Sequence, residues 1–182
     1  SSIDLVLKNS SYLKLGEKAK EYAIKFEWDN IIKEYLKILW YYLTMIEKFN
    51  GIIYLIIFLL HFLVYAVYAF RTVVATKTFL DQYSIDHSAA VMVRFFGAPF
   101  IGSILMALYI LFVRPGGVDG TWAFFNLIFV QNLMYFIIGI YTVKINKLGH
   151  NEKTNSEGII ASGILTLLSA ILCYGLADKI YS

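Results

Sequence analysis

Residues 51–70 read GIIYLIIFLLHFLVYAVYAF, a run of twenty residues without an aspartate, glutamate, lysine or arginine. Thirteen of them are Ile, Leu, Val or Phe, which together contribute roughly −4 to −8 kcal/mol to insertion of a helix into a membrane. A helix of twenty apolar residues matches the ~30 Å hydrocarbon layer of a bilayer. This run therefore predicts a membrane-spanning helix.

Three further stretches of the chain share this length and this lack of charge. They are residues 95–113, 122–143 and 159–177, and charged residues gather between them. The chain has 182 residues, of which 59% are hydrophobic, far more than in a typical soluble domain. The sequence predicts an all-α integral membrane protein whose four-helix transmembrane bundle fills residues 51–182.

The segment before the first span, residues 1–50, has a different pattern. Residues 1–15 show no period and predict an irregular lead-in, whereas a helical pattern builds from about Glu17. Apolar residues then recur at alternating steps of four and three: Trp28, Ile32, Tyr35, Leu39, Tyr42, Ile46 and Phe49. They predict an amphipathic helix that lies in the membrane interface or packs on other spans or on a partner subunit. A separate soluble catalytic domain is not expected, because about fifty residues rarely fold alone.

The connections between the spans also predict local structure. Residues 114–120 contain one proline and three glycines, which predict a tight turn and an antiparallel hairpin of the second and third spans. Ser88 and Thr121 are predicted N-caps for the helices that contain the second and third spans. Pro99 predicts a kink in the second span.

The charge of the first fifty residues bears on the partners that this protein could bind. The first fifty residues hold eight of the sixteen Lys and Arg and seven of the thirteen Asp and Glu, so no polybasic arm points to nucleic acid. The single Cys173 excludes an intrachain disulfide.

The start at Ser1 without Met predicts a removed presequence or a missing amino terminus. Spans of 19–22 residues favour a membrane of average or thin hydrocarbon core. The mitochondrial inner membrane is the favoured location, with endoplasmic reticulum or bacterial membrane as alternatives.

His61 is the one ionisable side chain other than Cys and Tyr within the predicted spans. Ionisable groups inside a membrane are candidates for function, because their burial costs free energy. The favoured interpretation is a neutral imidazole that bonds to Gln131 or Asn132 near the centre of the third span. The alternative is a polar pocket formed by the same three residues. A proton path is not expected, since the predicted spans contain no carboxylate.

No other group of residues has the sequence spacing that a catalytic or metal-binding site requires. The loops on one side hold two histidines and three acidic residues without a metal-ligand pattern: His87, His150, Asp81, Asp86 and Glu152. The last span contains nucleophile types without a histidine on the same helix: Ser162, Ser169 and Cys173. The sequence predicts no catalytic, cofactor-binding or metal-binding residue, and the protein is not expected to be an enzyme.

Small residues predict how the helices pack. The last span carries a stripe of them at steps of three and four: Gly158, Ser162, Thr166, Ser169, Cys173 and Ala177. The second span has two such pairs at a spacing of four: Ala98 with Gly102, and Ser103 with Ala107. Such stripes let helices approach closely in lipid. The first span has no comparable stripe and is predicted to face lipid or a large partner.

Two functional hypotheses follow from these patterns. The first is a non-catalytic accessory subunit of a multi-subunit membrane complex, of the respiratory-chain or ATP synthase type, with membrane protein subunits and lipids as partners. The alternative is a small transporter, channel or lipid-handling protein with a polar pocket at His61, Gln131 and Asn132.

Overall fold

The computed structural model describes residues 10–25 and 28–182, and these residues form helices and no strand. Eight α-helices follow in chain order: α1 (Ser10–Lys25), α2 (Trp28–Lys48), α3 (Ile52–Ala69), α4 (Thr76–Gln82), α5 (Ala90–Leu108), α6 (Trp122–Ile140), α7 (Glu157–Gly175) and α8 (Ala177–Ile180). The chain divides into two compact units, one that ends at Thr44 and one that comprises Met45–Ser182.

Four helical segments of the second unit are long and apolar enough to cross a membrane: Ile52–Val74, His87–Val113, Trp122–Ile145 and Glu157–Gly175. They include a 3₁₀ turn before α5 and π-helical turns after α3, α5 and α6. This architecture confirms the predicted all-α membrane protein with four spans. Each of the four segments runs beyond its predicted bounds at one end, because the helix continues into the polar residues that flank the apolar run.

The first unit contains α1 and most of α2. The helix α2 confirms the predicted amphipathic helix, but the irregular lead-in predicted for residues 1–15 is wrong from Ser10 onward, where α1 begins. Ten of the thirteen residues from Leu13 to Lys25 are Leu, Lys, Glu or Ala, whose high helix propensity outweighs the missing period. Residues 1–9 lie outside the described part of the chain.

In the bundle, α6 packs along α7, while α3 packs against both α5 and α7. The first span is the most buried of the four, since 33% of its most apolar stretch is buried, against 17–28% in the others. The prediction that this span faces lipid more than the others do is therefore wrong, whereas its contact with a large partner stays a prediction. Aromatic rings fill the bundle centre from α3, as in the Phe58–Phe62 and Tyr65–Phe100 pairs with centroids 4.7 and 4.9 Å apart. The first span is thus buried through its own bulky aromatic side chains, although it lacks a stripe of small residues.

Small residues do permit close contacts, but partly at other positions than predicted. Ser162 and Ser169 of the predicted stripe are buried. In α5, Ala98 and Gly102 are exposed, so they do not pack against other helices of this chain, and their packing across a subunit boundary stays a prediction. Gly97 lies on the buried face instead, where a Cβ would collide with Thr72 and Val73 of the π turn after α3. A one-residue shift along a helix rotates a side chain by about 100°, which accounts for the difference.

The predicted tight turn between the second and third spans is confirmed, but the two spans do not pack as a hairpin, since α5 packs mainly on α3 and α6 on α7. Arg114 Nη1 donates to the carbonyl of Gly117 at 3.1 Å, and both Gly117 and Gly120 have positive φ angles, 56° and 64°. Thr121 occupies the N-cap position of α6, but its hydroxyl donates to the Val118 carbonyl, so the predicted cap does not form.

The connection before α5 is capped by a different residue than predicted. The backbone N–H of Ser88 donates to Asp86 Oδ1 at 2.8 Å, so Asp86 and not Ser88 is the N-cap. The hydrogen bond from Ser88 lowers the pKa of the Asp86 carboxyl. The helix α5 continues through Pro99, whose carbonyl accepts a bond of 2.9 Å from Ser103 Oγ.

The last residues of the chain pack on one end of the bundle, here named the Ser182 end. Leu176 and Ile180 are fully buried there. The N–H of Gly120 donates to the Lys179 carbonyl at 2.9 Å, and Asn50 Nδ2 donates to Asp178 Oδ1 at 2.5 Å. Three separate segments of the chain therefore meet at this end.

Candidate functional site

Four buried polar residues form a cluster at the centre of the bundle, here named the interior cluster: His61, Tyr65, Asn132 and Ser169. His61 and Tyr65 lie one turn apart on α3, Asn132 comes from α6 and Ser169 from α7. None of the four is more than 2% exposed. The cluster therefore joins three spans in a region sealed from solvent and lipid.

Asn132 is the hub of the interior cluster. The Tyr65 hydroxyl donates to Asn132 Oδ1 at 2.8 Å. On the other side of the amide, Asn132 Nδ2 lies 2.9 Å from His61 Nε2, 3.3 Å from Ser169 Oγ and 3.4 Å from the carbonyl of Leu165. Every polar atom of the Asn132 side chain thus has a partner.

These contacts assign the protonation of His61. A backbone carbonyl only accepts, so the Asn132 atom that faces Leu165 is the amide nitrogen, and the same nitrogen donates to His61 Nε2. His61 is therefore a neutral imidazole with its proton on Nδ1. That atom is buried and has no hydrogen-bond partner among the described residues.

The structure brings together only two of the three residues predicted to meet. His61 and Asn132 are in contact, whereas Gln131 is half-buried and donates to the Tyr135 hydroxyl of its own helix at 3.1 Å. Tyr65 and Ser169 also belong to the cluster, although they were not predicted to. A signal existed for Tyr65, which stands four residues after His61 and so shares its helix face.

A second polar network lies at the end of the bundle opposite the Ser182 end. It is here named the Arg71 network and consists of Tyr68, Arg71, Gln82, Tyr83 and Glu157. Arg71 Nη1 and Glu157 Oε1 form an ion pair of 2.6 Å between the end of the first span and the start of α7. Tyr83 donates to the other Glu157 oxygen, and Arg71 donates to Gln82 Oε1 at 3.0 Å. Burial and the bond to Glu157 raise the pKa of the Tyr83 phenol.

The loop before α7 is fastened beside this network. Asn151 Nδ2 donates to the Tyr83 carbonyl at 2.7 Å, and Lys153 Nζ donates to the Asp81 carbonyl at 3.0 Å. The Arg71 guanidinium stacks over the ring of Phe79, 5.3 Å from its centroid. No local sequence pattern predicts the two links of this loop, because they join residues that are 68 and 72 positions apart in the chain.

The loop histidines have separate local partners. His87 Nε2 lies 2.7 Å from Asp81 Oδ1, and His150 Nε2 lies 2.8 Å from the Thr142 carbonyl. Among residues 10–25 and 28–182, no group of three or more His, Cys, Asp or Glu is placed to hold a metal ion. The hydroxyls of Ser162 and Ser169 donate to carbonyls of their own helix at 2.6 and 2.7 Å. The absence of catalytic and cofactor-binding residues stays a prediction.

A cavity of about 460 Å³ opens among the spans near the Arg71 network. Its walls come from α3, α4, α5, α6 and α7 and from the loop before α7. None of His61, Gln131 and Asn132 lines it. The hypothesis of a transporter, channel or lipid-handling protein with its pocket at those three residues stays a prediction.

No protein-family model, no curated protein sequence and no solved structure matches this chain.

Proposed function

We propose that this protein is a non-catalytic subunit of a larger membrane protein complex, and that α2 docks on a neighbouring subunit. The observation that carries the proposal is the exposed apolar surface of α2. Seven large apolar side chains on this helix are each at least half exposed: Ile32, Tyr35, Leu36, Ile38, Leu39, Trp40 and Leu43. A continuous apolar surface of this kind is typical of an interaction site.

The charges of α2 favour a protein partner over a lipid surface. The helix contains three acidic residues (Asp29, Glu34 and Glu47) and three lysines (Lys33, Lys37 and Lys48). Helices that lie on anionic membranes are rich in Lys and Arg on their polar face, because electrostatic attraction adds to their binding. A helix with balanced charge lacks this attraction. Exposed Tyr and Trp side chains, such as Tyr35 and Trp40, are also the types enriched at protein interfaces.

The proposed membrane is the mitochondrial inner membrane, and the proposed assembly is of the respiratory-chain or ATP synthase type. The shortest span, Glu157–Gly175, has 19 residues and reaches about 29 Å at 1.5 Å per residue. This length supports a membrane of average or thin hydrocarbon core. Fractionation of mitochondria followed by carbonate extraction tests the location, and recovery of the protein in another membrane would contradict it.

The subunit proposal is tested by purification of the full chain in a mild detergent, followed by native mass spectrometry. We expect other membrane proteins in fixed stoichiometry. Leu39→Glu places a charge on the apolar face of α2 and is expected to reduce their recovery about tenfold, because a buried unpaired charge costs more than 1.4 kcal/mol.

Lys37→Glu is the matched control, because it introduces the same side chain on the polar face of α2, where Lys37 is exposed. We expect recovery of the partners to remain close to that of the unaltered chain. A homogeneous homo-oligomer without partners would overturn the proposal. Equal recovery with Leu39→Glu and Lys37→Glu would show that α2 is not the docking element.

A further inference from the structure

We propose that the cavity near the Arg71 network binds a neutral lipid from the surrounding membrane, with its apolar part between α5, α6 and α7 and its polar end at the loop before α7. The cavity measures about 460 Å³, within the range of ordinary small-molecule sites. This inference concerns a ligand and is independent of the docking role proposed for α2.

Small side chains on facing helices create the space. Gly139 on α6 and Gly158, Ala161 and Ser162 on α7 all line the cavity. On α7 the lining runs from Gly158 to Leu165, seven residues or about 10 Å at 1.5 Å per residue. The cavity is therefore deep enough to hold a chain or ring system along the helix axes.

The inner part of the cavity is apolar and aromatic. Phe96 and Phe100 of α5, Tyr135 of α6 and Leu165 of α7 form its walls. Phe100 and Leu165 are buried, so these walls belong to the bundle core. Such walls accept hydrocarbon and exclude charged groups, since burial of an unpaired charge is costly.

The outer part of the cavity offers hydrogen-bonding groups without charge. Thr142, Asn151, Thr154 and Asn155 line it at the Arg71 end. Asn155 Oδ1 accepts from the backbone N–H of Glu157 at 2.9 Å, whereas its amide nitrogen has no acceptor among the described residues. The Asn155 amide is therefore available to donate to a hydroxyl or carbonyl oxygen of a ligand.

The charge of the lining selects the class of lipid. No Asp, Glu, Lys, Arg or His is among the residues that line the cavity. The adjacent charges of Arg71 and Glu157 neutralise each other in their 2.6 Å pair. An anionic head group inside the cavity would find no counter-charge among the lining residues, so the cavity favours an uncharged head group that carries hydroxyl or ester oxygens.

The test uses two photoactivatable probes with the same diazirine-bearing acyl chain, a monoacylglycerol and a fatty acid. The full chain is reconstituted in phosphatidylcholine nanodiscs at neutral pH, irradiated with each probe, and mapped by peptide mass spectrometry. We expect saturable labelling by the monoacylglycerol within residues 135–143 and 158–165. Labelling by the ionised fatty acid at those residues is expected to be at least about threefold weaker.

Gly158→Phe is expected to fill the cavity and reduce labelling by the monoacylglycerol about tenfold. A Cβ at Gly158 meets no other atom within 4 Å, so the larger side chain has room to enter. Gly102→Phe is the matched control, because a Cβ at Gly102 also meets nothing within 4 Å and Gly102 does not line the cavity.

Asn155→Asp provides a second variant at an exposed position, and it keeps the oxygen that accepts from Glu157. It removes the free donor, so we expect labelling by the monoacylglycerol to fall about threefold, as for loss of one hydrogen bond. Equal labelling in the unaltered chain, Gly158→Phe and Asn155→Asp would overturn the proposal. Equal labelling of the cavity by both probes, or labelling confined to the lipid-exposed faces, would also overturn it.

Discussion

The interior cluster and the Arg71 network join the same helix to its neighbours by different means. The interior cluster around Asn132 uses neutral groups that are at most 2% exposed. The Arg71 network uses a formal ion pair whose side chains are 22% and 34% exposed. His61 and Arg71 are ten residues apart on the first span, or about 15 Å.

The difference follows from the cost of charge in a medium of low polarity. A full charge at the bilayer centre is expensive, and a hydrogen-bonded neutral group is much less so. Near the end of the helix, water and lipid head groups can solvate the exposed parts of the Arg71 and Glu157 side chains. The comparison shows that one helix uses neutral hydrogen bonds at depth and an ion pair at its end.

The largest effect is expected from Asn132→Leu, which removes the hub of the interior cluster. The free energy of unfolding should fall by about 2–3 kcal/mol, because the Tyr65 hydroxyl and His61 Nε2 lose their partner while they remain buried. Unfolding in mixed detergent and SDS micelles measures the loss. Gln131→Leu, at the neighbouring position, should cost less than about 0.5 kcal/mol. Similar losses for the two variants would refute the role of Asn132 as hub.

A matched pair of tyrosines on the first span compares single bonds in the two regions. Tyr65→Phe should cost about 1–2 kcal/mol, because Asn132 Oδ1 then stays buried without its donor. Tyr68→Phe should cost less than about 0.5 kcal/mol, since the Tyr68 hydroxyl is 3.4 Å from Glu157, which has other donors. The same unfolding assay ranks the two variants, and the reverse order would contradict the comparison.

Salt distinguishes the regions more sharply than a single substitution. Glu157→Gln should lower the free energy of unfolding by about 1 kcal/mol at low ionic strength, because it removes the charge that pairs with Arg71. That loss should shrink at 1 M salt, where the screening length is about 3 Å. The loss caused by Asn132→Leu should not change with salt. An equal salt response would mean that the interior cluster carries charge.

Within the interior cluster, the smallest effect is expected from His61→Leu, at less than about 1 kcal/mol. The substitution removes one accepted bond but also removes Nδ1–H, a buried donor without a partner among the described residues. The same unfolding assay measures the loss in free energy of unfolding for His61→Leu and compares it with the loss for Asn132→Leu. A loss as large as that of Asn132→Leu would show that Nδ1 has a partner in the membrane.

The sequence predicts the spans well and the packing of those spans poorly. Absence of charge over about twenty residues is a local property, so the four spans could be located to within a few residues, except where α5 begins earlier near Ala90. Burial depends on neighbours from other helices. The first span looked suited to lipid because it lacks small residues, yet its aromatic rings fill the centre of the bundle.

The candidate site was predictable only in part, for the same reason. His61 and Asn132 stand out because polar residues are rare in such spans. The choice between Asn132 and Gln131 depends on a rotation of about 100° around α6, which no local pattern determines. The ion pair of Arg71 with Glu157 joins residues at the margins of two spans, where charged residues are ordinary and give no signal.

The packing of residues 176–182 on the Ser182 end has a practical consequence. Leu176 and Ile180 are fully buried and cover that end of the bundle. Truncation before Leu176 would therefore expose the core to water. Ser182 lies beside the turn at Gly120, so an insertion between Leu176 and Ser182 would disturb the packing of this end. Leu148, which is 88% exposed in the loop before α7, is the better place for an epitope or a fluorophore.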